Sequence, residues 1–328
     1  MPGEAFYWIL NMSVTASLAG AVLLLLRKIK KLPRRLIFIL WAVPFLRMWM
    51  PVSIGSQYGL MGFLARAGIR TVTVYEKSEA FTAMNCVGAA ESYFPVVYKI
   101  NVLEKIFNGA FIVWLIGCVT LFAVLIFLYV GTKKEVCRGE RLQLPNGGSA
   151  ADGKQESCFP NKFMENMRLS DRISSPAVYG ILHPQIVIPA SYIDINHRDK
   201  VLTYILAHEN VHIKRRDNLW RLSAFATACL HWFNPFVWLF LKLFLEDMEL
   251  ACDEKALAEL SEKEKKAYAL ALVECAADAP LFASAFGGAN LHKRVCHILS
   301  YKKVSAFSAL CFAVLAAGIA YALLTNGI

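Results

Sequence analysis

Two imidazoles four residues apart, with a carboxylate next to the first, make up the pentad His208-Glu209-Asn210-Val211-His212. In a segment with helical apolar periodicity, that spacing puts His208 and His212 on one face, where both can bind one Zn²⁺. Glu209 can then take a proton from a water polarised by the metal, which is the chemistry of a zinc hydrolase. The plainer reading is a helix that happens to show two histidines. A third protein ligand separates the two readings, since a catalytic zinc keeps three protein ligands and one open position.

Carboxylates are available downstream. Glu246-Asp247-Met248-Glu249-Leu250-Ala251-Cys252-Asp253 is the densest acidic helical segment, and Glu249 and Asp253, four apart, share a face with Glu246 close by. One of the pair can ligate while the other accepts the hydrogen bond of a ligating imidazole and fixes its tautomer. Equally, the segment can be a solvated acidic face on which Glu249 and Asp253 repel mildly. None of the nine cysteines forms a C-x-x-C pair, so metal binding by cysteine has no support in the sequence.

The elements that must position these groups are largely membrane elements. The chain of 328 residues is 57% hydrophobic with a mean hydropathy of +0.44, too apolar for an ordinary soluble enzyme. Phe6 to Leu26, Ala110 to Val130 and Val304 to Leu324 carry no charge, and each reaches the roughly 20 residues a spanning helix needs. Leu36 to Ile54 is a fourth, weaker span, interrupted by Pro44, Arg47 and Pro51, with Arg47 placed to snorkel or to face neighbouring helices. The first segment lacks a positive leader region and a small-residue cleavage site, so it is expected to stay as an anchor.

Topology follows from lysine and arginine. Arg27, Lys28, Lys30, Lys31, Arg34 and Arg35 lie between the first two spans; Lys133, Lys134, Arg138 and Arg141 follow the third; Lys293, Arg294, Lys302 and Lys303 precede the fourth. All belong on the cytoplasmic side. The N-terminus and residues of about 55–108 then lie outside, 131–303 inside, and a short C-terminal tail outside. These flanking charges account for most of the net charge of +10, and no basic module points to direct nucleic-acid binding. Only Cys86 falls in the outer loop, so no disulfide framework is expected.

The predicted organisation is two spans joined by a basic turn over 1–54, an outer loop over 55–109, a third span at 110–130, a flexible linker over 131–160, a catalytic domain over 161–303, and the fourth span with its tail over 304–328. Gly55-Ser-Gln-Tyr-Gly59 has the composition of a turn. The linker is marked by Asn146-Gly147-Gly148-Ser149 and Asp152-Gly153. Ile186-Val187-Ile188, bounded by Pro184 and Pro189, reads as an edge strand. Asp199 to Lys214 is the metal helix. After it, the apolar stretch from Leu219 to Leu245 cannot cross the membrane once if a downstream carboxylate completes the site. Asn234-Pro235 is where it would break into a hairpin at about 219–245, in or on the membrane, with Lys242 arguing against deep lipid exposure.

His208-Glu209-Asn210-Val211-His212-Ile213-Lys214-Arg215-Arg216-Asp217, then Asn234-Pro235, then Glu249-Leu250-Ala251-Cys252-Asp253-Glu254, resembles the membrane zinc metallopeptidases of the BlaR/MecR type. Ser175 to Gly180 and Pro184 to Pro189 are similar to that family's strands before the metal helix, and His292-Lys293-Arg294-Val295 to its basic segment before the last span. The resemblance implies a mainly α integral membrane protein. It would have four transmembrane helices and a cytoplasmic α+β zincin-like (gluzincin) domain between the third and fourth. It further implies Zn²⁺ held by His208, His212 and Glu249, with Glu209 as general base and Asp253 orienting a ligand. The family's β-lactam sensors carry an outer penicillin-binding domain after the fourth span, which is not expected in this chain. Ser300-Tyr301-Lys302-Lys303 spells S-x-x-K but reads as juxtamembrane charge.

On this reading the protein resides in the bacterial plasma membrane with its site facing the cytoplasm, and contacts lipid. It cleaves a cytoplasmic or membrane-proximal protein, a transcriptional repressor by the resemblance, in antibiotic-response signalling. Its signal enters through the outer loop, the spans, a second copy of the chain or an external sensing partner. The competing reading is a non-catalytic membrane receptor or scaffold with a structural zinc. His183 and His197 read as surface histidines, His231 as hydrogen-bonded within the hairpin, His297 as flanking the membrane, and the aromatic run from Trp232 to Phe244 as core or membrane contact.

Overall fold

The computed structural model describes residues 2–29, 32–50, 101–137, 140–141, 167–170, 173, 176–189, 199–258, 260–277, 291–303 and 305–325. Most of the expected outer loop (55–109), with Cys86 and Gly55–Gly59, most of the expected linker (131–160), and Ser175 and His197 lie outside them. The chain divides into two compact units, one of residues 1–123, 224–244 and 304–328, the other of 124–223 and 245–303.

The apolar helices fall mainly in the first unit. α1 (Pro2–Arg27), α4 (Asn101–Cys137) and α10 (Ala306–Leu324) contain the three helical stretches that, among the described residues, are long and apolar enough to cross a membrane: Ala5–Arg27, Lys105–Gly131 and Phe307–Leu324. Ile116 and Phe127 on α4 and Phe307 and Val314 on α10 are more than half exposed, as lipid-facing residues are. The described part of the expected second span, Leu36 to Ile54, is a kinked pair, α2 (Arg34–Leu40) and α3 (Ala42–Trp49). Pro44 has no N–H to give Leu40 O, and its ring crowds that carbonyl, so the helix breaks at Trp41. Arg47 is buried and gives Nη1 to Leu324 O at 2.8 Å, satisfying a carbonyl at the end of α10.

The stretch after the metal helix forms α6 (Asp217–Leu230) and α7 (Pro235–Leu257), separated at His231–Asn234. Pro235 opens α7, where its missing N–H costs nothing, and Asn234 Oδ1 accepts from Phe236 N at 2.9 Å. Within the first unit the break is tied to α1. Asn234 Nδ2 donates to Ser13 Oγ at 2.9 Å and Ser17 Oγ at 2.8 Å. His231 is fully buried, with Nε2 donating to Met48 O at 3.1 Å and Nδ1 3.2 Å from Ser13 Oγ. Away from water each polar group must find a partner inside the protein, and this network supplies them. Gly20 on α1 admits the Phe240 ring, which lies where a Cβ would be, 2.1 Å from Cζ.

The second unit has a four-stranded sheet in the order β1 (Glu140–Arg141), β2 (Met167–Ser170), β4 (Gln185–Pro189), β3 (Ala177–Tyr179), in which β2 and β4 are parallel and the outer pairs antiparallel. Ile186–Ile188 is therefore an inner strand, not an edge. Pro184 precedes the strand and Pro189 closes it against Ser170, so neither removes a donor from its middle. α5 (Asp199–Arg215) buries Leu202, Ile205 and Leu206 against Met167, Val178, Ile186 and Ile188. A second core joins the end of α7 to α8 (Glu262–Ala277) and α9 (Leu291–Ser300) through Leu257, Tyr268, Leu272 and Ile298.

Candidate metal centre

The apolar face of α5 is fixed by the sheet, and the 100° step per residue places His208 and His212 roughly a quarter turn away from it. There they meet α7. Both rings are 4% exposed and point their Nε2 atoms at each other, 3.2 Å apart. Glu249 Oε2 lies 3.4 Å from His208 Nε2 and 3.6 Å from His212 Nε2. Ligands at the usual Zn–N and Zn–O lengths of about 2.0–2.2 Å stand roughly 3.3–3.6 Å apart around a tetrahedral ion. The three atoms form that triangle.

The other atoms of these residues are held from behind. His212 Nδ1 donates to Asp217 Oδ2 at 2.6 Å, and Asp217, fully buried, is gripped by Arg215, which also donates to Met248 O at 3.0 Å. His208 Nδ1 is 2.8 Å from Tyr268 Oη and 3.2 Å from Asp253 Oδ1. Tyr268 donates to that same carboxylate oxygen at 2.8 Å. Arg221 takes the far oxygen of Glu249, with Nη2 2.7 Å from Oε1, which leaves Oε2 to face the imidazoles. With its proton on Nδ1, each ring would present the Nε2 lone pair to an ion, as metal-ligating histidines do.

Asp217 reaches His212 because the chain turns sharply between α5 and α6. Arg216 sits at φ +56°, in the left-handed region that costs a residue with a side chain roughly 1–2 kcal/mol. Arg216→Gly is expected to raise the melting temperature by about 1–3 °C after the entropy of glycine is offset, with metal content unchanged. A lower melting temperature in detergent would show that the exposed Arg216 side chain contributes more than its strain costs. From the first turn of α6, Asn218 Nδ2 donates to Val178 O at 3.1 Å and Gly180 O at 2.9 Å, tying the outer strand β3 to the same corner. Gly180 itself has φ +96°, and a Cβ there would lie 2.6 Å from His183 O.

The electrostatics favour a cation. Burial disfavours the charged form of His208, yet the Cys252 thiol, Tyr268 and Asp253 outweigh it and hold the ring well above the ordinary imidazole value. His212 is raised in the same sense, burial being opposed by Cys252, Glu249 and Asp217. Burial would raise the Glu249 carboxyl, but His212, His208 and Arg294 hold it well below the carboxylate range. A pocket that draws positive charge onto its imidazoles also draws a divalent ion, so proton and metal compete for the same nitrogens.

Cys252 is a further donor. His208, His212 and Cys252 each offer an atom within 4.8 Å of the others, and all three residues are buried. The Cys252 thiol also bonds to His208 O at 3.4 Å. Glu209 is half-buried and makes no hydrogen bond or ion pair among the described residues. Tyr268 carries no signal in the sequence, where Arg294 reads as a membrane-flanking charge. Arg294 is half-buried, its side chain 15% exposed, and donates from Nε to Asp253 Oδ2 at 2.8 Å and from Nη2 to Oδ1 at 2.7 Å.

A sequence profile for the BlaR1 peptidase M56 matches residues 7–298. Among characterised proteins, a regulatory protein BlaR1 of Bacillus licheniformis is 29% identical over 167 residues, 49% of this chain and 26% of that protein. A methicillin resistance mecR1 protein of Staphylococcus aureus (strain Mu50) is 29% identical over 106 residues, 32% of this chain and 18% of that protein. A regulatory protein BlaR1 of Staphylococcus aureus is 29% identical over 126 residues, 38% and 21% respectively. The matched segments span about a quarter or less of these relatives' own length.

Proposed function

This chain belongs to the BlaR1 peptidase M56 family, and from the geometry of its metal centre we propose that it is a membrane-embedded zinc endopeptidase with a cytoplasmic active site. The observation that carries the proposal is the convergence of His208 Nε2, His212 Nε2 and Glu249 Oε2 at 3.2–3.6 Å, each residue braced on its far side. His208, His212 and Glu249 are the protein ligands, and Asp253 and Asp217 orient the two rings. Two imidazoles and a carboxylate suit Zn²⁺. The bound ion would supply a Lewis acid that polarises a peptide carbonyl and makes water more acidic. Glu209 accepts the proton that this water loses as its oxygen adds to the carbonyl carbon. It returns the proton to the amine nitrogen as the C–N bond breaks.

The cytoplasmic orientation rests on the lysines and arginines that flank the apolar helices. The names of the relatives, a regulatory protein and a methicillin resistance protein, support a signalling role in an antibiotic response. The substrate in such a circuit is a cytoplasmic or membrane-proximal protein, a transcriptional repressor being the case that links proteolysis to gene expression. The signal arrives through the membrane helices, a second copy or an external sensor.

Cys252 favours a second reading, because two histidines, Glu249 and a thiolate would close the coordination sphere as in structural zinc sites. One set of measurements separates the two. Glu249→Ala is expected to lose most bound zinc, whereas Cys252→Ala retains zinc and cleavage, and the Co²⁺-substituted protein lacks a thiolate charge-transfer band. Zinc lost in Cys252→Ala, with the band present in the parent, would establish the structural site instead.

A further inference from the structure

One short helix supplies the cation that lies against the far side of the site. Within the second unit, α9 meets the acidic row of α7 with three side chains. Lys293 Nζ is 2.7 Å from Glu246 Oε1 and His297 Nε2 is 3.0 Å from Glu254 Oε1. Arg294, between them in sequence, reaches deeper. Besides its two bonds to Asp253, its Nη1 is 3.6 Å from Glu249 Oε2 and its Nη2 is 3.3 Å from His208 Nε2.

Geometry separates this pair from an ordinary ion pair. Two parallel N–H···O bonds fix the plane of a carboxylate as well as its place, which a single contact does not. Asp253 Oδ1, set by Arg294, is the atom that accepts from Tyr268 Oη and faces His208 Nδ1. Rotation of that carboxylate would move the Tyr268 hydroxyl and release the His208 ring. The same guanidinium lies against the ligand oxygen of Glu249, whose other oxygen Arg221 holds.

We propose that Arg294 is a positioning residue of the metal centre: by holding Asp253 at two points and lying against Glu249, it sets the ring of His208 and the ligating oxygen of Glu249 in the arrangement a divalent ion needs. This inference rests on the metal-centre reading above. Orienting partners of metal ligands typically contribute 10–100-fold in metal affinity.

The test is Zn²⁺ affinity of the full chain in detergent, measured by competition with a chromophoric chelator. Arg294→Gln is expected to weaken Zn²⁺ binding by about 10–100-fold. Arg294→Lys, which keeps the charge but not the two-point contact, should fall between that variant and the parent. Tyr268→Phe keeps every charge and volume yet removes the bridging hydroxyl, so about a tenfold loss is expected even if Arg294→Gln fails to fold. Lys293→Gln, which breaks the neighbouring pair to Glu246 on the same helix, should bind Zn²⁺ as the parent does. Parental affinity in both Arg294→Gln and Tyr268→Phe overturns the inference while leaving the metal centre standing. A parent chain that takes up no Zn²⁺ overturns both.

Discussion

Glu209→Gln is expected to lower the rate of peptide cleavage by about 10²–10⁴-fold, the usual contribution of a positioned general base, while zinc content and melting temperature stay at parental values. The amide is isosteric with the carboxylate but cannot accept the proton that water must lose. Nothing in the fold opposes the substitution. Glu209 is half-buried and pairs with no described group, so it belongs with surface changes that shift stability by less than about 0.5 kcal/mol. The contrast with the ligands makes the result diagnostic. His212→Ala removes a proposed ligand and orphans Asp217, whose buried carboxylate would be left to Arg215, so zinc and cleavage should disappear together. Zinc content, with proteolysis of a co-expressed candidate repressor or of the chain itself, separates the outcomes. Cleavage by Glu209→Gln at the parental rate would remove Glu209 from the mechanism.

The pentad and the carboxylate pair were legible in the sequence because helical spacing alone decides which side chains share a face. Those rules reach four residues along a helix and no further. Tyr268 lies 60 residues from His208 and Arg294 lies 86, and only the packing of α8 and α9 brings them in. Arg294 was also masked by its neighbours. Among Lys293, Lys302 and Lys303, counting charges beside a span cannot tell a solvated cation from one paired inside the fold. One clue was available: Glu249 and Asp253 have no cation three or four residues away on their own helix, so their countercharges had to come from elsewhere. The strand at 186–188 was read as an edge for a related reason. Prolines at both ends suggest missing donors, and only the ladder register places those gaps outside the paired segment. The kink at Trp41 could be anticipated from Pro44; the pairing of Arg47 with the end of α10 could not.

Asp253→Ala is expected to be the most destabilising single change at the centre, by about 3–5 kcal/mol, which for a unit of this size is a fall in melting temperature of roughly 10 °C. The cost arises from what remains, not from the contact removed. Asp253 is fully buried, and burial alone would raise its carboxyl; Arg294 foremost, then His208, reverses this and holds it well below the carboxylate range. Without it the guanidinium of Arg294 keeps only its looser approaches to Glu249 and His208, and the Tyr268 hydroxyl loses its acceptor. Replacing both partners distinguishes folding from function. Asp253→Leu with Arg294→Met fills the space with apolar groups, a change that is commonly neutral or stabilising for buried ion pairs, so the double variant should regain most of the lost stability. It should not regain zinc, because the hydrogen bond to His208 Nδ1 is still missing and affinity should stay about 10–100-fold weak. Thermal unfolding in detergent and chelator competition on the same samples give both quantities. A double variant as unstable as Asp253→Ala would place the cost in lost packing instead of in an unpaired charge, and one that binds zinc like the parent would show that the His208 ring is held by α5 alone.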